Sequence, residues 1–169
     1  MAGLALRGDR GYGTRAARPG GEPRVEGTRT MVGLVVATHG KLAEELLKTA
    51  EGIVGRLEQC EAVSVGASHS MEDSRARLAT AVHRVDTGDG VLVLTDMFGG
   101  TPANLALTFL DEKVEVITGV NLPMILKLST ARADALALRA AAELVTSHGQ
   151  KNITLASELL RSRARTSRT

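Results

Sequence analysis

Short apolar runs alternate with longer amphipathic stretches along most of this chain. Four runs rich in β-branched residues occupy positions 32–37 (VGLVVA), 62–67 (AVSVGA), 90–96 (GVLVLTD) and 114–119 (VEVITG). Between and after them, apolar side chains recur at the spacing of one helix face. Strict alternation of strand and helix is typical of parallel βαβ units. We therefore predict an α/β fold, a doubly wound and mostly parallel sheet with helices on both faces.

Residues that favour helix ends mark the boundaries of the predicted helices. Gly55 follows the first amphipathic stretch, and Ser70 precedes MEDSRARLATAVHRV, which carries acids in its first turn. Thr101 is predicted to cap the third helix, with Pro102 as its first residue, because these residue types favour those positions. Gly149 is predicted to close the last long helix, ADALALRAAAELVTSHG.

The two ends of the chain differ in composition from its body. Residues 1–30 are rich in Gly and Arg and show no period, so we expect a disordered leader. Met31 begins the first apolar run, and an alternative hypothesis is that it is the native start. We assign residues 31–157 to one domain, which ends in a short strand, NITLAS, at 152–157. Residues 158–169 form an Arg-rich C-terminal tail.

Charge and composition exclude several classes of function. The formal charge is +2, but residues 31–160 hold 11 basic and 16 acidic residues. A net acidic body with only three aromatic residues in the chain argues against a nucleic-acid partner. No apolar stretch suits a membrane span or a signal peptide, so we expect a cytoplasmic protein. The single Cys60 cannot form an internal disulfide.

Chemistry is expected where two strands end. In an open α/β sheet, ligands bind outside the carboxyl ends of the strands, where the strand order reverses. The first strand ends at Thr38, His39 and Gly40, and the third at Asp96. If the strand order is 2-1-3-4, these strands are neighbours, and His39 and Asp96 face each other across the switch point.

A histidine held by a carboxylate suits nucleophilic chemistry. An acceptor on one ring nitrogen fixes the tautomer and leaves the lone pair of the other nitrogen free to attack. The sequence MFGGTP after Asp96 offers backbone that can approach an anion closely and unpaired N–H groups at a helix start. The candidate catalytic residues are therefore His39 and Asp96, and the candidate phosphate-binding residues are Thr38, Gly40, Gly99, Gly100 and Thr101.

This combination favours phosphoryl transfer through a phosphohistidine, because that reaction depends on positioning and charge neutralisation. The alternatives are a structural histidine at a strand end and a helix-capping aspartate. A receiver domain would need acids where Thr38 and His39 stand, and a histidine phosphatase would need an Arg before His39. A metal site lacks convergent ligands, with only His69 as a candidate third, so we expect neither a metal nor a cofactor.

Three motifs also resemble one known family. VVATHGKLAEELLKTAE, VLVLTDMFGGTPANLA and EVITGVNLPMIL are similar to the IIA component of the mannose-class phosphoenolpyruvate-dependent sugar phosphotransferase system. The resemblance implies that His39 accepts a phosphoryl group from the carrier HPr and passes it to a IIB component, with Asp96 beside it. It also implies a 2-1-3-4 sheet with an antiparallel edge strand, matched by NITLAS, and a homodimer that exchanges this strand. The membrane would be involved only through a IIC/IID permease.

Two alternatives remain open. The phosphotransfer subunit of dihydroxyacetone kinases shares the fold and the early histidine, but it typically has a different sequence after the aspartate. A regulatory module whose phosphorylation state controls a partner, without sugar flux, would need the same reactive His39. No room for a IIB domain follows residue 157, so we expect a IIA component that acts on a separate IIB protein.

Overall fold

The alternation of strand and helix is present throughout the body of the chain. The structure, a computed structural model, describes residues 30–66, 70–132 and 136–166, except for the side chains of 162–166. The predicted disordered leader lies outside the described residues, apart from Thr30. The elements are β1 (Gly33–His39), α1 (Leu42–Val54), β2 (Cys60–Val65), α2 (Met71–Val85), β3 (Val91–Thr95), α3 (Thr101–Leu107), β4 (Val114–Thr118), α4 (Leu122–Ala131), α5 (Leu138–Lys151) and α6 (Ala156–Thr166).

The four strands form one parallel sheet in the order β2-β1-β3-β4, which confirms the predicted order. Leu34 of β1 pairs with Cys60 on one side and Leu92 on the other. The last pair of β1 with β3 towards the carboxyl end is Ala37 with Thr95, so the two strands end side by side. This register places His39 and Asp96 at the same edge of the sheet.

Two apolar clusters, one on each face, hold the helices against the sheet. Alternate residues of β1 and β3 enter each cluster: Val36 and Leu94 face α1, α4 and α5, whereas Val35 and Val93 face α2 and α3. All four are completely buried. Because each fully buried side chain of this size contributes about 1.5–3 kcal/mol, the two central strands are the most firmly held part of the fold.

Two of the four predicted helix boundaries are confirmed, and the start of α3 is displaced by one residue. The Ser70 hydroxyl accepts the Asp73 N–H at the start of α2 and forms a capping box, and Gly55 follows α1 with φ +83°. At α3, however, Gly100 occupies the N-cap position and Thr101 is the first helical residue, without a side-chain cap. The prediction of Thr101 as the cap is therefore wrong by one position.

Gly149 does not end the last long helix. It lies inside α5, which continues to Lys151. A Cβ atom at Gly149 would lie 2.5 Å from Met124 Cγ, so the missing side chain allows α4 and α5 to pack closely. The glycine that we predicted as a helix stop is a packing residue instead, because close contact between the two helices requires it.

The structure has no strand at residues 152–157, where the sequence predicted one. Residues 153–155 have no regular structure, and Ala156 begins α6. A strand needs backbone partners in a neighbouring strand, and Ile153 and Leu155 are exposed, with no strand beside them among the described residues. Without such a partner, the helix-forming residues that follow determine the local structure. The described sheet is therefore entirely parallel, and the antiparallel edge strand is not observed.

Within residues 30–66, 70–132 and 136–166, no helix is long and apolar enough to cross a membrane. The same residues contain no group of three side chains that could hold a metal ion. Cys60 is a free, half-buried thiol whose pKa is raised by burial, although the nearby Arg132 opposes that shift.

Candidate functional site

His39 is the last residue of β1 and stands at the open edge of the sheet. Gly40 follows it with φ +54°, a conformation that glycine adopts without strain, and α1 begins two residues later. The rest of β1 is buried, whereas 47% of the His39 side chain is exposed. The sharp turn at Gly40 therefore leaves the imidazole at the surface while its backbone remains part of the central strand.

Asp96 holds His39 through two hydrogen bonds to one carboxylate oxygen. Asp96 Oδ2 accepts the backbone N–H of His39 at 2.9 Å and lies 2.7 Å from its ring nitrogen Nδ1. The other oxygen, Oδ1, accepts the backbone N–H of Met97 at 2.9 Å. Both carboxylate oxygens thus have partners, and the aspartate fixes the ring and the main chain of His39 together.

These contacts decide the charge of Asp96. Burial of the carboxyl group, whose side chain is 15% exposed, acts to raise its pKa. The hydrogen bonds from the backbone and ring of His39 and from the backbone of Met97 outweigh burial, so the pKa of Asp96 is lowered below its usual value. Asp96 is therefore a carboxylate at neutral pH, and a carboxylate facing Nδ1 requires the proton to lie on that nitrogen. The lone pair of the neutral ring is then on Nε2.

The other side of the ring lies against Gly100. A Cβ atom at this residue would lie 2.8 Å from His39 Cε1 and 3.5 Å from Nε2. Only a residue without a side chain allows the ring to approach the loop this closely. No described residue forms a hydrogen bond with Nε2. Nε2 therefore lies next to Gly100 and remains open to a ligand.

The loop that carries Gly99 and Gly100 is held by a residue that the sequence did not single out. Asn104 in α3 donates its side-chain N–H to the Gly99 carbonyl at 3.3 Å, and its backbone N–H donates to the Gly100 carbonyl at 3.0 Å. Gly99 has φ +80°, which favours glycine. In the sequence, the only sign of this role was the position of Asn104, an amide five residues after Gly99. The two hydrogen bonds of Asn104 thus hold the loop in position at the start of α3.

Thr38 is the one candidate residue whose side chain is not at the open edge. It is completely buried, and its hydroxyl oxygen accepts the backbone N–H of Ala43 at 2.7 Å. That N–H belongs to the first turn of α1, where backbone donors lack helical partners. The prediction that Thr38 binds phosphate therefore cannot rest on its hydroxyl, which is buried and already hydrogen-bonded. The hydroxyl instead ties the start of α1 to the end of β1.

The structure therefore gathers most of the predicted site at one place. His39, Gly40, Asp96, Gly99, Gly100 and Thr101 lie together at the carboxyl ends of β1 and β3. His83 is exposed on α2, and His148 lies near the end of α5. His69, the candidate third metal ligand, lies outside the described residues.

A comparison with protein families identifies the relationship. Residues 33–150 match the family model EIIA-man, described as "PTS system fructose IIA component". The chain belongs to this family. The match covers all four strands, α1 to α4 and nearly all of α5, and so includes both His39 and Asp96. The predicted family resemblance is therefore confirmed, and the chain is a IIA component of the phosphotransferase system.

Individual relatives agree with this family. The chain is 37% identical over 105 residues to the PTS system mannose-specific EIIAB component of Escherichia coli K12, across 61% of this chain and 32% of that protein. It thus spans about a third of the first curated relatives that it matches. It is 27% identical over 132 residues to the PTS system fructose-specific EIIA component of Bacillus subtilis, across 77% of this chain and 90% of that one.

A solved structure shows the same fold. The mannose/sorbose-specific IIA subunit of the phosphotransferase system from Enterococcus faecalis superposes with a TM-score of 0.66 and 30% sequence identity. The superposition covers 74% of this chain and 94% of that subunit.

Proposed function

We propose that His39 accepts a phosphoryl group from phospho-HPr and passes it to a IIB component. The contact that carries this proposal is the 2.7 Å hydrogen bond between His39 Nδ1 and Asp96 Oδ2. With the proton on Nδ1, the lone pair lies on Nε2, which has no hydrogen-bond partner among the described residues. Family membership makes phosphoryl transfer the first chemistry to consider for such a pair.

The charges balance in the proposed step. The Nε2 lone pair attacks the phosphorus of the donor's phosphohistidine, the P–N bond of the donor breaks, and its imidazole leaves with the electron pair. The His39 ring, protonated at Nδ1 and now bonded to phosphorus at Nε2, becomes positively charged. The Asp96 carboxylate neutralises that charge at hydrogen-bond distance, and transfer to the acceptor restores the neutral ring.

Backbone groups around the ring would hold the phosphoryl oxygens. We assign this role to the main chain of Gly40 and of Gly99 to Thr101, because Gly40 follows His39 directly and Gly100 lies against its ring. Gly99 and Gly100 carry no side chain that would keep an anion away. Thr38 contributes through its position in the backbone and not through its hydroxyl.

The partners and boundaries follow from the same role. We assign residues 31–157 to the IIA domain and expect it to pass the phosphoryl group to a IIB component. The sugar and the membrane would be reached only through IIB and a IIC/IID permease. We also propose that the protein is a homodimer, the assembly that the family resemblance implies.

A labelling experiment tests the proposed transfer. The protein is mixed with phosphoenolpyruvate, enzyme I and HPr, and acid-labile phosphate on the chain is measured. We expect stoichiometric label on the wild type and none on His39→Ala. His83→Ala is the matched control, because His83 is an exposed helical histidine away from the site. Failure to label the wild type, or equal labelling of His39→Ala, would contradict the proposal.

A second stage separates transport from a purely regulatory role. The labelled protein is purified and mixed with IIB proteins from the same organism, and the label on each protein is followed with time. Passage of the label to a IIB protein supports the proposed carrier role. Retention of the label with every IIB protein would instead support the regulatory alternative.

A further inference from the structure

The ring of His39 has one close neighbour on each side. Asp96 Oδ2 lies 2.7 Å from Nδ1 and also accepts the backbone N–H of His39 at 2.9 Å. On the other side, a Cβ atom at Gly100 would lie 2.8 Å from Cε1, so the Gly100 backbone lies against the ring. Gly100 has no side chain that could anchor it. Its distance from the ring therefore depends on how the backbone of its loop is held.

The loop between Asp96 and α3 is not held by packing or by its own residue types. Gly99 and Gly100 are adjacent, and glycine restricts the backbone less than any other residue. Gly100 occupies the N-cap position of α3, but it has no side chain that could cap the helix. Met97 and Phe98 are 57% and 75% exposed, so neighbouring side chains hold them only weakly. The position of the loop therefore depends on the hydrogen bonds of its backbone.

Two side chains in the described part of the chain bind the backbone of residues 97–100. Asp96 accepts the Met97 N–H at the beginning of the loop, and Asn104 donates a side-chain N–H to the Gly99 carbonyl at 3.3 Å near its end. The backbone N–H of Asn104 also donates to the Gly100 carbonyl at 3.0 Å. These two carbonyls belong to the peptide groups on either side of the Gly100 Cα atom. Asn104 therefore fixes the backbone both before and after the residue that lies against His39.

The bond to Gly99 also limits what the loop can present to a phosphoryl group. Because Gly99 and Gly100 have no Cβ atom, the peptide group between them can turn with little steric resistance. A carbonyl oxygen is only an acceptor, and it would repel the negatively charged phosphoryl oxygens if it turned towards them. The Gly99 carbonyl is bound to Asn104, so this turn would break a hydrogen bond.

We propose that Asn104 is a positioning residue for phosphoryl transfer, which sets the place of the His39 ring by fixing both peptide groups of Gly100. This inference rests on the proposed function, because it concerns the nitrogen that accepts the phosphoryl group. Asn104 forms no hydrogen bond with His39 among the described residues, so it acts through Gly100. Its loss should slow the chemical step with any donor and leave the affinity for a protein donor unchanged.

The first test compares two asparagines that make the same kind of contact. Asn104→Ala removes the side-chain bond to Gly99 and leaves the backbone N–H of residue 104 in place. Asn152→Ala is the matched control, because the Asn152 side chain donates to the His148 carbonyl at 2.8 Å at the end of α5, away from the site. Labelling is measured over a range of phospho-HPr concentrations and, separately, with phosphoramidate, a small donor that needs no protein contact.

For Asn104→Ala we expect the kcat with phospho-HPr and the rate with phosphoramidate each to fall about tenfold, with an unchanged KM for HPr. This loss is smaller than that of a displaced reacting atom, because the ring would be loosened and not pushed away. Asn152→Ala should label at the wild-type rate with both donors. Wild-type rates for Asn104→Ala, or a loss confined to the KM for HPr, would refute the proposal.

A double-mutant cycle tests whether Asn104 acts through Gly100. Gly100→Ala places a Cβ atom against the ring and so displaces it directly. If Asn104 serves only to hold Gly100, adding Asn104→Ala to Gly100→Ala should slow transfer by less than about threefold more. Multiplication of the two single effects would show that the residues act separately, and it would refute this route.

NMR of the unphosphorylated protein separates the inference from the function on which it rests. One Cα hydrogen of Gly100 points along the direction of the missing side chain, towards His39 Cε1. A nuclear Overhauser effect between this hydrogen and the Cε1 hydrogen should appear in the wild type and in Asn152→Ala and should weaken in Asn104→Ala. An undiminished effect in Asn104→Ala would refute the inference whatever the labelling shows. If the effect weakens as expected but the wild type takes label from neither donor, the proposed function is refuted and Asn104 positions a ring that does not transfer phosphate.

Discussion

A methyl group at residue 100 would collide with the ring of His39. It would lie 2.8 Å from Cε1, whereas ordinary van der Waals contacts begin at about 3.4 Å and extend to 4 Å. The ring would have to retreat by roughly 0.6–1.2 Å to restore an ordinary contact. Gly100 has φ −77° and ψ 164°, which alanine adopts freely, so the backbone itself would not be strained. Gly100→Ala therefore mainly displaces the imidazole, with a smaller adjustment of Met97, whose Cγ would lie 3.3 Å from the new methyl group.

The expected effect on transfer is large, whereas the effect on stability is small. Cε1 is bonded to both ring nitrogens, so its retreat moves Nε2 and disturbs the 2.7 Å bond from Nδ1 to Asp96. Misplacement of a reacting atom by about 1 Å costs on the order of 10²-fold in rate, and we expect Gly100→Ala to transfer phosphate about 10²-fold more slowly. The half-exposed ring can move towards solvent, so the free energy of unfolding should change by less than about 1 kcal/mol.

Rapid-quench measurement of the labelling rate at saturating phospho-HPr tests this reasoning. Gly52→Ala is the control, because Gly52 lies within α1 and a Cβ there would meet nothing within 4 Å. That variant should gain up to about 1 kcal/mol of stability from helix propensity and transfer phosphate at the wild-type rate. If Gly100→Ala transfers within threefold of the wild type, contact with Gly100 does not set the reactive position of the ring.

Two further predictions concern stability. Asp96→Asn removes the charged acceptor of His39. The folded-state pKa of Asp96 is lowered from 3.8, so the charged carboxylate stabilises the folded wild type. This stabilisation is complete above about pH 4 and is lost as the pH falls through the folded-state pKa. Urea unfolding of both proteins across this range should show the difference shrinking in acid, and a constant difference would contradict the assignment. Thr38→Val should cost about 1–3 kcal/mol because it leaves the buried N–H of Ala43 without an acceptor. Thr95→Val, at the end of the neighbouring strand, should be neutral or stabilising, since the buried Thr95 hydroxyl has no hydrogen-bond partner in the described part of the chain. Equal losses of unfolding free energy for Thr38→Val and Thr95→Val would refute this distinction.

The contact between His39 and Asp96 was predictable because it depends on topology. β-branched runs identify buried parallel strands, and parallel strands bring their carboxyl ends to one edge. The order 2-1-3-4, which the family resemblance implied, was then enough to place the two residues together. The second hydrogen bond, from the backbone of His39 to the same oxygen, was not predictable. It depends on register and loop geometry at the scale of an ångström, which the pattern of residue types does not specify.

Three other features could not be predicted from the sequence, each for a different physical reason. β1 is covered on both faces, so the alternation that would reveal whether Thr38 points into the core is missing. The proximity of Gly100 to His39 links residues that are far apart in sequence, and glycine there resembled ordinary turn chemistry. The segment 152–157 has residues that are compatible with a strand, but strand formation depends on a neighbour as much as on propensity. In the described chain, no such neighbour is present.

The double hydrogen bond from His39 to a single oxygen of Asp96 has a regiochemical consequence. Phosphohistidine exists as two regioisomers, one for each ring nitrogen, and a free imidazole can form either. Here Nδ1 is blocked by a carboxylate that also binds the main chain of the same residue, so a ring flip would have to give up one of two bonds to that oxygen. Under the proposed function, the fold therefore selects the Nε2 isomer before the donor binds. The phosphoryl group is received on Nε2 and is transferred to the acceptor from the same nitrogen.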